Sequence, residues 1–266
     1  MSLKFIVMSD IHLMPPGGLS MGLDTAARLR KAIETVVQRY DDIDFCILAG
    51  DLADLGQQGA YEQLQDLLVD MPVPVHMTLG NHDNRETFLQ VFGDAMANPQ
   101  TRKVDRVIDV KGYRIIILDT SEPDLVAGRL SDVQIEWLTA RLAEAASQPV
   151  IVVMHHHASL LNTHADRIAL LAPEAFLQAL KTHPDVRQVI AGHVHVTSCA
   201  VWQGVPFCTL AGGHYSVGFD VGKPDRPVEC FDGPGQFAVV EGTADRTTVL
   251  FDDFLNNNQL IHTHVK

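Results

Sequence analysis

The stretch Phe5-Ile6-Val7-Met8-Ser9-Asp10-Ile11-His12 decides the fold: four apolar residues in a row run almost directly into an acid and an imidazole. An apolar run without polar alternation marks a strand buried on both faces, the kind found in sheets covered by helices. The same construction recurs down the chain. Residues 46–50 lead to Asp51, 76–80 to Asn81 and His82, 151–154 to His155, and 189–192 to His193 and His195. In α/β sheets ligands gather beyond the carboxyl ends of the strands, so side chains distant in sequence meet there.

Working outward, the apolar runs 5–8, 45–49, 73–79, 115–118, 150–154 and 186–191 read as buried strands. Amphipathic segments lie between them. One opens at Asp24, a helix N-cap, and carries Leu29, Ile33, Val36 and Val37 on one face; others cover 60–69, 131–146 and 173–181. Strand and helix in turn predict an α/β layered fold with a central sheet. Residues 107–119, broken at Lys111-Gly112, read as a hairpin, which makes the sheet mixed. After Gly192 the helical pattern stops. Residues 196–202, a Gln203-Gly204 turn, 205–210, 236–240 and 247–252 read as successive antiparallel strands, with 218–235 an irregular surface loop. One domain over 1–266 is expected, its strands from about residue 196 completing a sheet and aiding contacts between copies.

The formal charge of -13 over 266 residues, with no basic run, excludes a binder of nucleic acid polymers. Hydrophobic residues at 46% and charged ones at 20% exclude disordered classes. No run approaches the roughly 18 apolar residues of a membrane span. The run 5–8 is too short for a signal-peptide core, so a cytoplasmic protein without a membrane partner is expected. Cys46, Cys199, Cys208 and Cys230 show no CxxC spacing and read as buried thiols rather than disulfide partners. The unusual count is 13 histidines.

Asp10-x-His12 at a strand end puts two side chains on one side, and His193-x-His195 repeats that geometry. Asp, Asn and His donors without thiolate suit borderline divalent metals such as Mn, Fe, Co or Zn. The candidate donors outnumber the about four to six positions of a single ion, which favours two ions sharing a carboxylate. Each fragment alone has a plainer reading. Asp-x-His is common by chance, residues 80–83 resemble a turn, 155–157 a solvated loop, and His76 and His183 read as structural. Five ligand-bearing strand ends in order argue against coincidence.

In this pattern the chain resembles the calcineurin-like metallophosphoesterases. Asp10-x-His12, Gly50-Asp51, Gly80-Asn81-His82-Asp83, His155 and Gly192-His193-x-His195 are similar to that family's five motifs, over residues 4–197. Chain length, the variant Gly50-Asp51-Leu52-Ala53-Asp54 and the two histidines opening the fourth motif are similar to class III cyclic-nucleotide phosphodiesterases and their glycerophosphodiesterase relatives. The resemblance implies a four-layer αββα sandwich with two mixed sheets. It implies Asp10, His12 and His195 on one divalent transition metal ion, Asn81, His155 and His193 on a second, and Asp51 bridging. Hydroxide formed between the ions would attack phosphorus in line.

His82 is implied to orient substrate or protonate the leaving alcohol, with Asn81 beside it. Asp83 would buttress His82 or the loop, and Asp54 would lie behind the ligands. His214, in Gly212-Gly213-His214-Tyr215, is expected to contact substrate. The fourth motif runs His155-His156-His157-Ala158 where relatives often continue His-His-Pro-Pro, which alters the pocket wall and leaves the roles of His156, His157 and His164 open. Asp54 in place of a tyrosine speaks against a tyrosinate-ligated purple acid phosphatase site.

The implied reaction is hydrolysis of a small phosphodiester, a 3',5'-cyclic nucleotide such as cAMP or a glycerophosphodiester, by a homo-oligomer (a dimer or higher). Two rivals stand beside it. A phosphomonoesterase would need extra cations for a dianion, and Arg85 is the one basic residue near Asn81. A metal-free scaffold would have lost ligands, and none is missing.

Overall fold

The protein is described by a computed structural model covering residues 2–223, 225 and 227–255. Two sheets pack face to face. In the first, β1 (Leu3–Met8), β2 (Phe45–Ala49) and β3 (Val75–Thr78) run parallel. Two antiparallel strands, β12 (Gln236–Gly242) and β13 (Thr247–Asp253), extend it in the order β13-β12-β1-β2-β3. The second sheet has the order β4-β5-β6-β7-β9-β8. Its centre is parallel: β5 (Tyr113–Leu118), β6 (Val150–Met154), β7 (Val186–Ala191) and β9 (Val205–Thr209). Its antiparallel edges are β4 (Arg106–Val110) and β8 (Ser198–Trp202).

Three apolar layers hold the sandwich. Leu3, Phe5 and Val7 of β1 point between the sheets, where they meet Ile115 and Ile117 of β5, Ile151 and Val153 of β6, and Ile190 of β7. Ile6 and Met8 point the other way, into a layer shared with the helices α1 (Thr25–Arg39), α2 (Gln58–Leu68) and α3 (Arg85–Phe92). On the far side, Ile116, Val152 and Val189 pack against α4 (Asp132–Glu144) and α5 (Pro173–Leu180). Both faces of the central strands are therefore apolar, and each fully buried Val, Leu, Ile or Phe contributes roughly 1.5–3 kcal/mol. The architecture is the four-layer α/β sandwich that the motifs implied.

The helices begin where the sequence signals them. Asp24 caps α1 by accepting from Ala27 N at 2.9 Å, and Ser131 with Gln134 forms a capping box at α4. Leu29, Ala32, Ile33 and Val36 form the buried stripe of α1, but Val37, expected on that face, is 50% exposed. At 100° per residue it lies a quarter turn from the centre of the stripe.

Other expectations need correction. The strands after residue 196 do not complete one sheet: β8 and β9 join the second, β12 and β13 the first. Nor are they all antiparallel, since β9 runs parallel to β7. The loop 218–235 carries the end of a small ribbon, β10 (Ser216–Val217) with β11 (Cys230–Phe231); positions 224 and 226 lie outside the described residues. All four cysteines are free, but only Cys46 and Cys208 are buried, Cys199 and Cys230 being exposed. No helix among the described residues is long and apolar enough to cross a membrane.

Candidate metal centre

The carboxyl ends of β1, β2, β3, β6 and β7 open on one rim of the sandwich. Backbone hydrogen bonds lock the ends together beyond the strands: Asp10 N to Gly50 O at 3.1 Å, His12 N to Asp51 O at 2.9 Å, Gly192 N to His155 O at 3.0 Å. The chain then turns sharply. Asp10, His12, Asp51, His193 and His195 have φ of 55°, 49°, 50°, 72° and 52°, in the left-handed region that Asp and His tolerate better than most residues. Such backbone costs of order 1–3 kcal/mol per residue and persists where its surroundings hold it.

The glycines before these residues make the close approach possible. A Cβ on Gly80 would stand 2.2 Å from Asp51 Oδ1 and 2.6 Å from His155 Nε2. One on Gly192 would lie 1.8 Å from Ser9 Oγ and 2.6 Å from Asp10 Oδ2.

Each buried imidazole is oriented by a fixed hydrogen bond. Nδ1–H of His155 donates to Ala49 O at 2.8 Å, leaving Nε2 at 3.2 Å from Asp51 Oδ2 and 3.3 Å from Asn81 Oδ1. Nδ1–H of His195 donates to Tyr215 O at 2.8 Å, leaving Nε2 at 3.3 Å from Asp10 Oδ1. In His12, Nδ1 faces Asp54 Oδ1 at 2.9 Å, and Nε2, buried without a hydrogen-bond partner, lies 3.5 Å from Asp51 Oδ2. His193 is reversed: Nε2–H donates to Ile168 O at 3.0 Å, so Nδ1 is its free nitrogen. Backbone N–H of His193 also reaches both Asp10 oxygens, at 3.0 and 3.1 Å.

The donor atoms of Asp10, His12 and His195 lie within 4.8 Å of one another, as do those of Asp10, Asp51 and His155. Asp51 stands between the two halves of the site. Burial pushes its carboxyl up, but the imidazoles of His155, His12 and His82 outweigh that and hold it well below the carboxylate range. The same charge acts in reverse on His155. Burial pulls it down, Asp51 and then Asp10 lift it, and it stands at about 9. This donor set, buried and convergent, with an orphaned His12 nitrogen, fits divalent metal ions.

All seven residues singled out as ligands thus come together. His82 stands beside them, its backbone N–H donating to Asp51 Oδ1 at 2.9 Å and its ring Nδ1–H to Asp54 O at 2.7 Å. Its ring is 4.6 Å from that of His12 and partly exposed. The Asp83 carboxylate accepts from Gly80, Leu52 and Ala53 N and from Tyr61 Oη at 2.9–3.1 Å, buttressing the loops that follow β2 and β3.

His214 differs from expectation. It is 1% exposed, with Nε2 at 3.3 Å from Ser20 O and its ring 4.8 Å from that of His12. Arg28 draws this loop inward by donating to the Gly213 and His214 carbonyls, so His214 packs behind His12. The neighbouring Tyr215, which sequence reasoning passed over, stacks on His195 with ring centroids 3.9 Å apart.

His156 lies near His155 and His193, yet Nδ1 accepts from Thr120 Oγ1 at 2.7 Å and Nε2–H donates to Val126 O at 3.1 Å, so neither nitrogen is free for a metal. It braces the segment 120–126 instead. His157 is buried with neither nitrogen hydrogen-bonded, Nε2 lying 3.9 Å from Asp166 Oδ1, and burial lowers it to about 4. His164 lines a separate cavity of about 240 Å³ with Leu160 and Phe219. His183 is structural, its Nε2 donating to Ala145 O at 3.0 Å.

Beside Asn81 and His82 opens a cleft of about 890 Å³ whose walls include Leu55, Leu89, Leu125 and Val126. Arg85 lines it, but its guanidinium is taken by the buried Asp119 carboxylate, at 2.9 Å, and by Ser121. Helix α3, which carries Arg85, and the wall at 121–126 were not read from the sequence; the available signal was Asn84, whose side chain caps α3 through Thr87 N at 3.0 Å.

Comparison with known proteins agrees with this geometry. Residues 3–197 match the calcineurin-like phosphoesterase family. A probable cyclic nucleotide phosphodiesterase of Rhodopseudomonas palustris is 30% identical over 271 residues, covering 98% of this chain and 96% of its relative. The 3',5'-cyclic adenosine monophosphate phosphodiesterase CpdA of Pseudomonas aeruginosa is 30% identical over 196 residues, covering 73% of this chain and 70% of that protein. In fold, the chain is similar to a dimetal phosphatase from Danio rerio, with a TM-score of 0.72 at 16% identity, over 95% of this chain and 96% of the other. Motifs, site geometry and relatives lead to one assignment: the chain belongs to the calcineurin-like phosphoesterase family.

Proposed function

We propose that the protein is a binuclear metal-dependent phosphodiesterase that hydrolyses small phosphodiesters, with a 3',5'-cyclic nucleotide such as cAMP the favoured substrate and a glycerophosphodiester the second. The observation that carries this reading is Asp51, one carboxylate held between two donor groups. On one side Asp10, His12 and His195 would hold an ion; on the other Asn81, His155 and His193 would hold a second, with Asp51 common to both. Divalent ions in such a site supply Lewis acidity toward a phosphoryl oxygen and acidify water.

The protein's own groups divide the remaining work. Asp54, Ala49 O, Tyr215 O and Ile168 O fix which nitrogen each of the four imidazoles offers. His82, anchored through Nδ1, keeps Nε2 free to carry a proton to the departing alcohol oxygen. The apolar side chains of the cleft beside it suit the organic part of a diester.

The charge in the cleft favours a diester over a monoester. Among the described residues Arg85 is the only Arg or Lys lining it, and Asp119 already neutralises that guanidinium. Among the described residues a phosphomonoester dianion would find no free Arg or Lys there. The relatives named as cyclic nucleotide phosphodiesterases support the cyclic nucleotide.

The test is a hydrolysis panel of cyclic AMP, cyclic GMP, glycerophosphocholine and paired aryl phosphate mono- and diesters, run with defined Mn, Co, Fe or Zn. Diester turnover that depends on added metal and exceeds monoester turnover is expected. Monoester preference would overturn the reading, and hydrolysis of glycerophosphocholine alone would transfer it to the second substrate.

A further inference from the structure

Strands β8 and β9 form a hairpin through Gln203 and Gly204, with φ of 48° and 91°, the two left-handed residues of a type I′ turn. The pairs run Trp202 with Val205, Val201 with Pro206, Ala200 with Phe207, and Cys199 with Cys208. In such a hairpin the closing pair exchanges backbone hydrogen bonds, and bonded and non-bonded pairs alternate from there. Pro206, which has no N–H to donate, falls on a non-bonded pair, as this count requires. Cys199 and Cys208 fall on the next non-bonded pair. At such positions facing Cα atoms approach to about 4.5 Å, inside the roughly 4.4–6.8 Å that a disulfide spans.

Directly opposed residues project from the same face of a sheet, so the two sulfurs share one side of the hairpin. Their accessibility differs. Cys199 is exposed on the edge strand, whereas Cys208 is 4% exposed within the layer between the sheets. Both are free thiols in the structure.

We propose that Cys199 and Cys208 form a peroxide-sensitive modification site that closes reversibly into a cross-strand disulfide, stapling β8 to β9. The Cys199 sulfur attacks the O–O bond of hydrogen peroxide; an S–O bond forms, one oxygen leaves as water, and Cys199 becomes a sulfenic acid. The Cys208 sulfur then attacks Cys199, the S–S bond forms, the S–O bond breaks, and the Cys208 proton departs with that oxygen as a second water. Two thiols are oxidised by two electrons and one peroxide is reduced. Burial and the neighbouring Cys199 push the Cys208 thiol up to about 12, so the exposed Cys199 is the sulfur that meets peroxide first. The Cys199 sulfur of that disulfide stays on the exposed edge strand, where a dithiol can attack it and return both thiols.

The experiment treats the full chain with hydrogen peroxide and maps it by mass spectrometry after chymotrypsin. Cleavage after Trp202 and Phe207 places Cys199 and Cys208 on different peptides, and cleavage after Phe219 separates Cys230 from both. The two peptides are expected joined, with the loss of two hydrogen atoms, and dithiothreitol should part them. In Cys208→Ala, Cys199 should pass on to the sulfinic stage, while Cys230→Ser should leave the joined product unchanged. Unmodified thiols at both positions overturn the proposal. So does Cys199 joined to Cys230 or to a second chain, or oxidised beyond disulfide in the unsubstituted protein. The wild-type map needs no variant to fold, and its outcome is independent of the hydrolytic reading.

Discussion

Nδ1 of His12 lies 2.9 Å from Asp54 Oδ1, and that contact decides which nitrogen His12 turns toward Asp51. Ser20 Oγ donates to the other Asp54 oxygen at 2.9 Å, so the carboxylate is held from two sides. Carboxylate partners of this kind fix tautomer and ring orientation, and their loss typically costs 10–100-fold in metal affinity. Asp54→Ala is therefore expected to weaken divalent-metal binding by roughly 10–100-fold while the fold is kept. Titration calorimetry alongside circular dichroism checks this; unchanged affinity would refute the role.

Asp51 faces both donor groups and also accepts the His82 backbone N–H at 2.9 Å. Asp51→Ala should lose bound metal and hydrolysis together, because on the proposed reading one carboxylate would serve both halves of the site. Elemental analysis of the purified variant, with assay of metal-dependent turnover, is the measurement. Full activity in that variant would rule out a bridging Asp51.

His82 contributes its ring from the cleft side, partly exposed and anchored to Asp54 O. His82→Ala should keep its metal and lose roughly 10²–10⁴-fold in turnover, the range for a positioned acid or base. Metal content and kcat measured on one preparation separate the alternatives. Loss of metal in this variant would place His82 among the ligands.

A pH effect on stability is expected from Asp105, which accepts from Asp119 N at 2.7 Å and Gln134 Nε2 at 3.1 Å deep under the Arg85–Asp119 pair. Burial, and then the Asp119 charge, push its carboxyl up to about 7. In the unfolded chain it titrates near about 3.9. The folded state binds the extra proton between these values, so the contribution is fully present below about 4 and lost as pH rises through 7. Tm of the wild type relative to Asp105→Asn should fall across that window and level off above it. A difference independent of pH would refute the assignment.

The central strands and the residues at their ends were legible in the sequence for one physical reason. A strand buried on both faces must be apolar throughout, so the step from Met8 to Ser9-Asp10, or from Met154 to His155, can only be its end. The partition of the C-terminal strands was not legible. β9 and β12 are both short apolar segments, and which sheet each joins depends on which edge is open in the assembled sandwich. Cys199 read as a buried thiol because nothing local announces that β8 is an edge strand. His214 read as a loop residue open to substrate, whereas Arg28, nearly two hundred residues earlier, draws its backbone into the protein.

By itself the sequence determined the order and kind of donors, because strand ends and their preceding glycines are written in contiguous residues. Only the tertiary structure decided how those donors are presented. Each imidazole takes its orientation from a partner remote in the chain: His12 from Asp54, His155 from Ala49, His193 from Ile168, His195 from Tyr215. A carboxylate or carbonyl accepts a hydrogen bond but cannot donate one, so each such partner takes one ring N–H and turns the opposite nitrogen toward the centre.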